Sequence, residues 1–192
     1  MPMTNYAGRE VNCKILYCGP GQGGKTTNIE YVHSRVDPGN RGELISLATK
    51  QGSTLLFDFL ALDLGDVQGL RTRFHLYTVP GQAYFESRRR ILLEGVDGVV
   101  LVADYQIDRD EANDEAMQSL YETLEARGCD VSRLPFVIQY NKRDLPGIVP
   151  VQQLRARLNP AGVPDFESVA TEGKGVFETL AAVSRLVVQS LR

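Results

Sequence analysis

The feature that most constrains the fold is an eight-residue phosphate-loop motif near the start of the chain. Residues 19–26 read GPGQGGKT and satisfy G-x-x-x-x-G-K-[ST] in full. An apolar, β-branched run over residues 11–18 predicts a strand before the motif, and residues 25–35 have a helical pattern after it. In this context the glycines can turn backbone N–H groups toward an anion at the positive end of a helix. The chain is therefore predicted to fold around a phosphate-binding turn.

Each part of this loop has an expected task. Lys25 is expected to reach the β- and γ-phosphates of a nucleotide, and the Thr26 hydroxyl is placed for Mg²⁺. A Gly-rich turn that matches by chance is the alternative, and the strand–loop–helix context disfavours it. The other candidate nucleotide-binding residues are the glycines of the loop and the threonine after it, namely Gly19, Gly21, Gly23, Gly24 and Thr27.

The rest of the chain alternates short apolar runs with helical patterns, which predicts an α/β fold of the P-loop NTPase type. Such a fold has a mostly parallel central sheet with helices on both faces. With 192 residues, we expect a single domain over residues 1–192. The predicted strands are 11–18, 54–62, 70–79, 98–104, 136–140 and 166–170. The predicted helices are 25–35, 84–94, 110–127, 151–158 and 176–191, and a loop is expected between the first helix and Thr54.

Composition excludes several function classes. The chain has 21 Lys and Arg against 24 Asp and Glu, a net charge of −3, which argues against a nucleic-acid-binding face. Its apolar runs end far short of the ~20 residues of a membrane span, so no transmembrane segment is expected. The 3 cysteines cannot all pair with one another, which is typical of a reducing compartment. We therefore expect a cytoplasmic protein.

A second motif, N-K-R-D at residues 141–144, follows a predicted buried strand. The Asp144 carboxylate can accept two hydrogen bonds from the N1–H and 2-amino groups of guanine. Adenine offers neither donor, so ATP is disfavoured as the ligand. Asn141 can tie this loop to the phosphate loop, and the Lys142 stem can cover the base. A lone N-K-x-D also occurs as a polar turn, but the pair of motifs favours a guanine site. The segment Ser168-Val169-Ala170 can then offer a backbone N–H to the guanine O6 atom.

Two further segments are candidate switches. Thr54 is a candidate hydroxyl ligand of Mg²⁺ when a γ-phosphate is present, although a threonine is also an ordinary first residue of a strand. In Val79-Pro80-Gly81-Gln82, the Gly81 N–H can bind the γ-phosphate and Gln82 can orient the attacking water. Gln82 could also be a plain exposed loop residue. Lys25, Thr54 and Gln82 are the candidate catalytic residues, and the triphosphate would order both segments.

Taken together, these motifs make the chain resemble a Ras-type small GTPase over almost its whole length. One departure narrows the resemblance: Thr78 stands where such proteins usually have the Asp of Asp-x-x-Gly. That substitution is shared with the MglA group of bacterial and archaeal Ras-like GTPases. The strings LLFDFL, TRFHLYTVPGQ and VIQYNKRDLP also resemble this group.

The resemblance implies a switch that binds GTP, GDP and Mg²⁺, hydrolyses GTP slowly and regulates cell polarity and gliding or twitching motility. It also implies an activator of the roadblock fold, the MglB homodimer, with an exchange role as a further option. Polarity and motility effectors would be partners, and partners would recruit the chain to a cell pole. A strand of the sheet is expected to shift register, so the loop before Thr54 should differ between the GDP and GTP states.

A second departure concerns the rate of hydrolysis. The MglA group commonly has Arg just before the switch threonine, where it serves as an arginine finger in cis, and this chain has Ser53. An arginine finger contributes about 10³–10⁵ in rate. Either Arg41 or a partner supplies the charge, or hydrolysis is slow, or the chain is a natural or designed variant of weakened activity. The alternative function is accordingly a pseudo-GTPase that acts as a nucleotide-bound scaffold.

Overall fold

The computed structural model describes residues 3–5, 9–48, 54–67, 69–79 and 91–191. Strands and helices alternate along the chain, as the sequence predicts. The strands are β1 (Met3–Asn5), β2 (Glu10–Cys18), β3 (Ile45–Ala48), β4 (Thr54–Val67), β5 (Leu70–Thr78), β6 (Gly98–Asp104), β7 (Phe136–Asn141) and β8 (Asp165–Glu167). The helices are α1 (Lys25–Arg35), α2 (Asp110–Glu125), α3 (Val151–Leu158) and α4 (Val176–Ser190).

The strands form one sheet in the order β3-β4-β5-β2-β6-β7-β8. The five strands β5, β2, β6, β7 and β8 are parallel to one another. The β4–β5 hairpin and the edge strand β3 run antiparallel, and β1 pairs antiparallel with the first half of β2. The parallel strands therefore end together at one edge of the sheet, which is where ligands bind in open α/β folds.

Two hydrophobic layers cover the sheet. On one face, α1 and α4 pack on β2 through fully buried side chains such as Ile29 and Val183. On the other face, α2 and α3 pack on β6 and β7 through buried side chains such as Leu120 and Leu154. Every residue of β6 and β7 is buried, as expected for strands covered on both faces. Both the mostly parallel sheet and the helices on both faces confirm the predicted fold class.

Four details of the sequence prediction need correction or lie outside the described residues. The strand predicted at 54–62 is the longer β4, because it continues to pair with β5 as far as Val67. The loop expected before Thr54 contains β3, an edge strand held by pairing with β4 and not by an apolar pattern of its own. The strand predicted at 166–170 is the shorter β8, which ends at Glu167. After it, the Ser168 hydroxyl and the Ala170 N–H donate to the side chain of Asn141. Most of the helix predicted at 84–94 lies outside the described residues. Within the described residues, no helix is long and apolar enough to span a membrane.

Candidate functional site

The phosphate loop joins the end of β2 to the start of α1 and requires glycine at two positions. Gly19 has φ +137°, and a Cβ there would lie 2.1 Å from the carbonyl oxygen of Val102. Gly24 has φ +97°, and its Cβ would lie 2.1 Å from Nδ2 of Asn141. Any side chain at either position would therefore strain the backbone and collide with β6 or β7. The tight loop predicted from the motif is present.

Lys25 is folded back over the loop that it is predicted to serve. Its side chain is buried, and its Nζ donates hydrogen bonds to the carbonyl oxygens of Gly19 (3.1 Å) and Pro20 (2.7 Å). An ammonium group held at neutral carbonyls gains more from a phosphate oxygen, because an ionised acceptor makes the stronger hydrogen bond. The structure therefore holds a cation at the position where a phosphate would need one.

Asn141, the last residue of β7, connects three segments of the site. Its Nδ2 donates to the carbonyl oxygen of Gly23 in the phosphate loop at 2.9 Å. Its Oδ1 accepts from the Ser168 hydroxyl and from the Ala170 backbone N–H, each at 3.0 Å. This fully internal network fixes the relative positions of the phosphate loop, the N-K-R-D loop and the segment after β8. The predicted tie between the first two loops is thus present.

A cavity of about 230 Å³ opens between these three segments. Protein pockets for whole ligands usually measure about 300–1,000 Å³, so this one suits a single flat ring system with the rest of the ligand outside. Asp144 is exposed at its wall, and Lys142 crosses beside it in a left-handed conformation with φ +69°. The lining residues are Gln22, Gly24, Thr27, Asn141, Lys142, Asp144, Leu145, Ala170 and Thr171.

The amides of residues 168–170 are engaged inside the protein, which changes one predicted role. The Ser168 N–H donates to the carbonyl of Tyr140, the Val169 N–H to that of Lys174, and the Ala170 N–H to Asn141. None of the three faces the cavity as the donor that was predicted for guanine O6. Thr171, which lines the cavity one residue further on, was missed because its place follows from how Asn141 turns the backbone.

The candidate metal position contains an acidic residue that the sequence analysis also missed. The Thr26 hydroxyl donates to Oδ2 of Asp58 at 2.6 Å, and the Thr78 hydroxyl donates to the same oxygen at 2.8 Å. Ser46 of the edge strand β3 donates to Oδ1 at 2.5 Å. Because Asp58 lies beside Thr78 on the neighbouring strand, a carboxylate reaches the Thr26 hydroxyl although Thr78 has replaced the usual Asp.

Asp58 and Thr26 together fit a hard divalent cation. Mg²⁺ prefers hydroxyl, carboxylate, water and phosphate oxygens, and it takes only one or two carboxylates from the protein. Asp58 is 1% exposed, and its negative charge helps raise the pKa of nearby Glu30, after the larger effect of burial. Among the described residues no group of three His, Cys, Asp or Glu side chains could hold a metal, so an all-protein cage is absent there. One signal was available in the sequence: Asp58 is a lone charge inside the apolar string LLFDFL.

Several predicted residues lie outside the described part of the chain. These are Ser53, Gly81 and Gln82; Thr54 begins β4, but its side chain is not among the described ones. Arg41 is described and lies away from the phosphate loop. Its guanidinium donates to the carbonyl of Val36 at 2.9 Å and contacts Nε2 of His33, at the opposite end of α1 from the phosphate loop.

The fold and the two loops define the class of the protein. A mostly parallel sheet, covered on both faces, carries a phosphate loop and an N-K-R-D loop at the same edge. This is the Ras-like G domain, within the P-loop NTPase class.

Comparison with known proteins gives the family. The chain is 51% identical over 192 residues to the mutual gliding-motility protein MglA of Myxococcus xanthus (strain DK1622). The alignment covers 100% of this chain and 98% of that protein. No family model matches the chain. At this identity and coverage the chain belongs to the MglA family, which confirms the resemblance found in its motifs.

Proposed function

We propose that the chain is a guanine-nucleotide-dependent switch that binds GTP and hydrolyses it to GDP and phosphate, using one G domain over residues 1–192. The observation that carries this proposal is the 2.9 Å bond from Asn141 to Gly23, because it joins the phosphate loop to the N-K-R-D loop beside one cavity. A nucleotide can then bridge the two, with its base beside Asp144 and its phosphates over Lys25.

Binding and catalysis divide between the two ends of the site. Lys25 exchanges its carbonyl partners for the β- and γ-phosphates, and backbone N–H groups of loop residues other than Pro20 complete the anion nest. Gly81 donates to the γ-phosphate, and Gln82 orients the water that attacks it. Lys142 lies over the base, and Asp144 accepts from guanine N1–H and the 2-amino group. The segment of Ser168, Val169 and Ala170 holds the wall beside the base through Asn141.

Mg²⁺ would be held by the hydroxyls of Thr26 and Thr54, with Asp58 accepting from the Thr26 hydroxyl and from metal-bound water. The ion would neutralise charge on the β- and γ-phosphates. Asp58 supports this assignment because it already accepts from the Thr26 hydroxyl at 2.6 Å. It supplies from β4 the carboxylate that Thr78 lacks on β5.

The biological role that we propose follows from the family. As a relative of the mutual gliding-motility protein MglA, the chain would regulate cell polarity and gliding or twitching motility from the cytoplasm, with recruitment to a cell pole. Its activator would be an MglB-type roadblock homodimer, with an exchange role as well, and polarity effectors would read the GTP state. The sequence identity of 51% over the whole chain supports this role.

A second candidate function is a nucleotide-bound scaffold with little or no hydrolysis. Ser53 favours it, because a serine hydroxyl cannot spread positive charge over the γ-phosphate oxygens. Arg41 does not supply the missing positive charge in this conformation, because its guanidinium contacts His33 and the Val36 carbonyl. Hydrolysis by this chain is therefore expected to be slow.

Base recognition is tested by competition against a fluorescent GDP analogue. We expect GTP to displace the analogue and ATP to fail at the same concentration, because adenine would leave the Asp144 carboxylate unpaired. Asp144→Asn should shift the preference toward XTP, since an amide donates where the carboxylate accepted. ATP binding as tight as GTP binding, or no shift in the variant, would contradict the proposed base site.

A further inference from the structure

One arginine that is not among the proposed nucleotide-binding residues forms a hydrogen bond with the phosphate loop. Arg109 ends the short 3₁₀ turn between β6 and α2, and its side chain is 31% exposed. Its Nη2 donates to the carbonyl oxygen of Gly21 at 2.6 Å. Its Nε lies 3.5 Å from Oδ2 of Asp104, a carboxylate with 0% exposure. The planar fork of arginine thus spans a buried acid and one particular peptide of the loop.

The bonded peptide has its N–H on the opposite side. The described residues contain no cis peptide bond, so the N–H of Gln22 points away from the Gly21 carbonyl that Arg109 holds. Gln22 has φ +63°, the left-handed conformation that forms backbone anion nests when it follows ordinary backbone. A charged donor on the carbonyl also polarises the peptide and makes its N–H a stronger donor.

Asp104 links the guanidinium of Arg109 to the N-K-R-D loop. Its Oδ2 also accepts from Nζ of Lys142 at 2.6 Å. A single buried carboxylate therefore holds one cation directed to the phosphate loop and another that belongs to the N-K-R-D loop. Removal of Arg109 leaves Lys142 with its acid, whereas removal of the acid takes the charged partner from both cations and leaves each with a neutral oxygen, Gln106 Oε1 for Lys142 and the Gly21 carbonyl for Arg109.

We propose that Arg109 is a positioning residue for the phosphate loop: it fixes the Gly21–Gln22 peptide so that the Gln22 N–H faces the β-phosphate of the bound nucleotide. This inference rests on the proposed guanine-nucleotide function. Arg109 belongs to neither of the two motifs, and its effect is expected on the binding of the phosphates and not on the binding of the base.

The test compares the binding of GDP and GMP to the full chain. Arg109→Met should weaken GDP binding by about tenfold, the size typical of losing one hydrogen bond to a charged donor, and change GMP binding by less than about twofold. The ³¹P resonance of the β-phosphate of bound GDP should also move. Asp104→Asn should weaken the binding of both nucleotides, because Lys142 of the N-K-R-D loop also loses its only carboxylate partner among the described residues.

Arg157→Met is the matched control. Arg157 binds Asp110 at 2.7 Å and also Asp114, and both of these partners are on α2 and outside the phosphate loop. It should leave the affinity for GDP and the ³¹P spectrum unchanged. Should Arg109→Met melt well below the wild-type chain, Arg109→Lys, which keeps the charge and a single donor, carries the same test with a smaller expected effect.

Failure of the positioning role and failure of the proposed function give different results. Unchanged GDP affinity in Arg109→Met, or equal losses for GDP and GMP, would overturn the positioning role while wild-type binding still upholds the proposed function. A wild-type chain that binds neither GDP nor GTP would overturn the proposed function and this inference with it.

Discussion

At the scale of single residues, the environment of Asp58 is unusual for a strand in an apolar layer. A buried carboxylate costs free energy unless hydrogen bonds or a cation compensate it. Three hydroxyl groups from Thr26, Ser46 and Thr78 donate to it in the described part of the chain. A metal ion held through Thr26 would add the missing positive charge, so Asp58 should matter more for Mg²⁺-dependent nucleotide retention than for folding.

Asp58→Asn tests this role. We expect Mg²⁺ to slow GDP release strongly in the wild-type chain and at least about tenfold less in the variant, because an amide is a much poorer partner for metal-bound water. Rates of fluorescent GDP release with Mg²⁺ and with EDTA measure the difference. Asp63→Asn is the control on the same strand, since Asp63 pairs with Arg71 at 2.5 Å. Equal Mg²⁺ effects in the wild-type chain and Asp58→Asn would contradict the metal role.

A site residue could be predicted from the sequence where it belongs to a motif within one continuous segment. The phosphate loop and the N-K-R-D loop are contiguous strings, and Asn141 joins them as predicted. Asp58 and Arg109 could not be assigned in the same way, because their roles arise from contacts between distant segments. Asp58 meets Thr26 only because β4 and β5 pair in a particular register, and no local pattern encodes that register.

At the scale of elements, α4 packs closely on the start of β6. Gly98 opens β6, and a Cβ there would lie 2.6 Å from Cγ2 of Val187 and 3.1 Å from Cγ2 of Val183. Both valines are fully buried, so they have little room to move. The helix α4 can therefore pack this closely on β6 only because position 98 is a glycine, which has no side chain.

Gly98→Ala should destabilise the fold by about 1–3 kcal/mol, the usual cost of overpacking a well-packed core. For a domain of this size, each 1 kcal/mol lowers the melting temperature by about 2–4 °C. Gly39→Ala is the control, because a Cβ at Gly39 would meet nothing within 4 Å. Thermal unfolding followed by circular dichroism compares the two variants. Equal melting temperatures would contradict the close packing of α4 on β6.

Elements were predictable where hydrophobic periodicity is strong. The predicted bounds of α1 and α3 agree with the structure, and β6 agrees because a fully apolar run has no other place in a doubly covered sheet. The edge strand β3 was missed, since Ser46 points at Asp58 and Ile45 is 48% exposed. Its pairing with β4 and not its own composition makes it a strand.

At the scale of the whole molecule, the two histidines should contribute a loss of stability at acidic pH. Burial and the nearby Arg73 lower the pKa of His75, whose Nε2 lies 3.0 Å from Oδ1 of Asn12. Burial and Arg41 lower the pKa of His33 in the same direction. The unfolded chain thus binds more protons than the folded chain below the ordinary histidine pKa of about 6.5. Stability contributed by the neutral histidines is present above that pH and is lost as the pH falls.

We therefore expect the free energy of unfolding by urea to decrease between pH 7.5 and pH 5.5. His75→Gln should reduce this dependence, and the double variant with His33→Gln should reduce it further. The measurement compares the pH slopes and not the absolute stabilities, so a uniform loss of stability in a variant does not affect it. An unchanged slope in the double variant would show that other groups are responsible.

Single-turnover hydrolysis of bound GTP with Mg²⁺ tests most directly whether this chain is the slow GTP-hydrolysing switch that we propose. We expect conversion to GDP at a rate on the order of 10⁻⁴ s⁻¹, as in small GTPases without a finger. With an excess of roadblock dimer, Ser53→Arg should be accelerated far more than the chain as it stands. GTP that stays bound and intact over many hours would contradict hydrolysis by this chain and favour a nucleotide-bound scaffold. Acceleration of the unaltered chain by several hundredfold would instead contradict slow hydrolysis and place the arginine elsewhere.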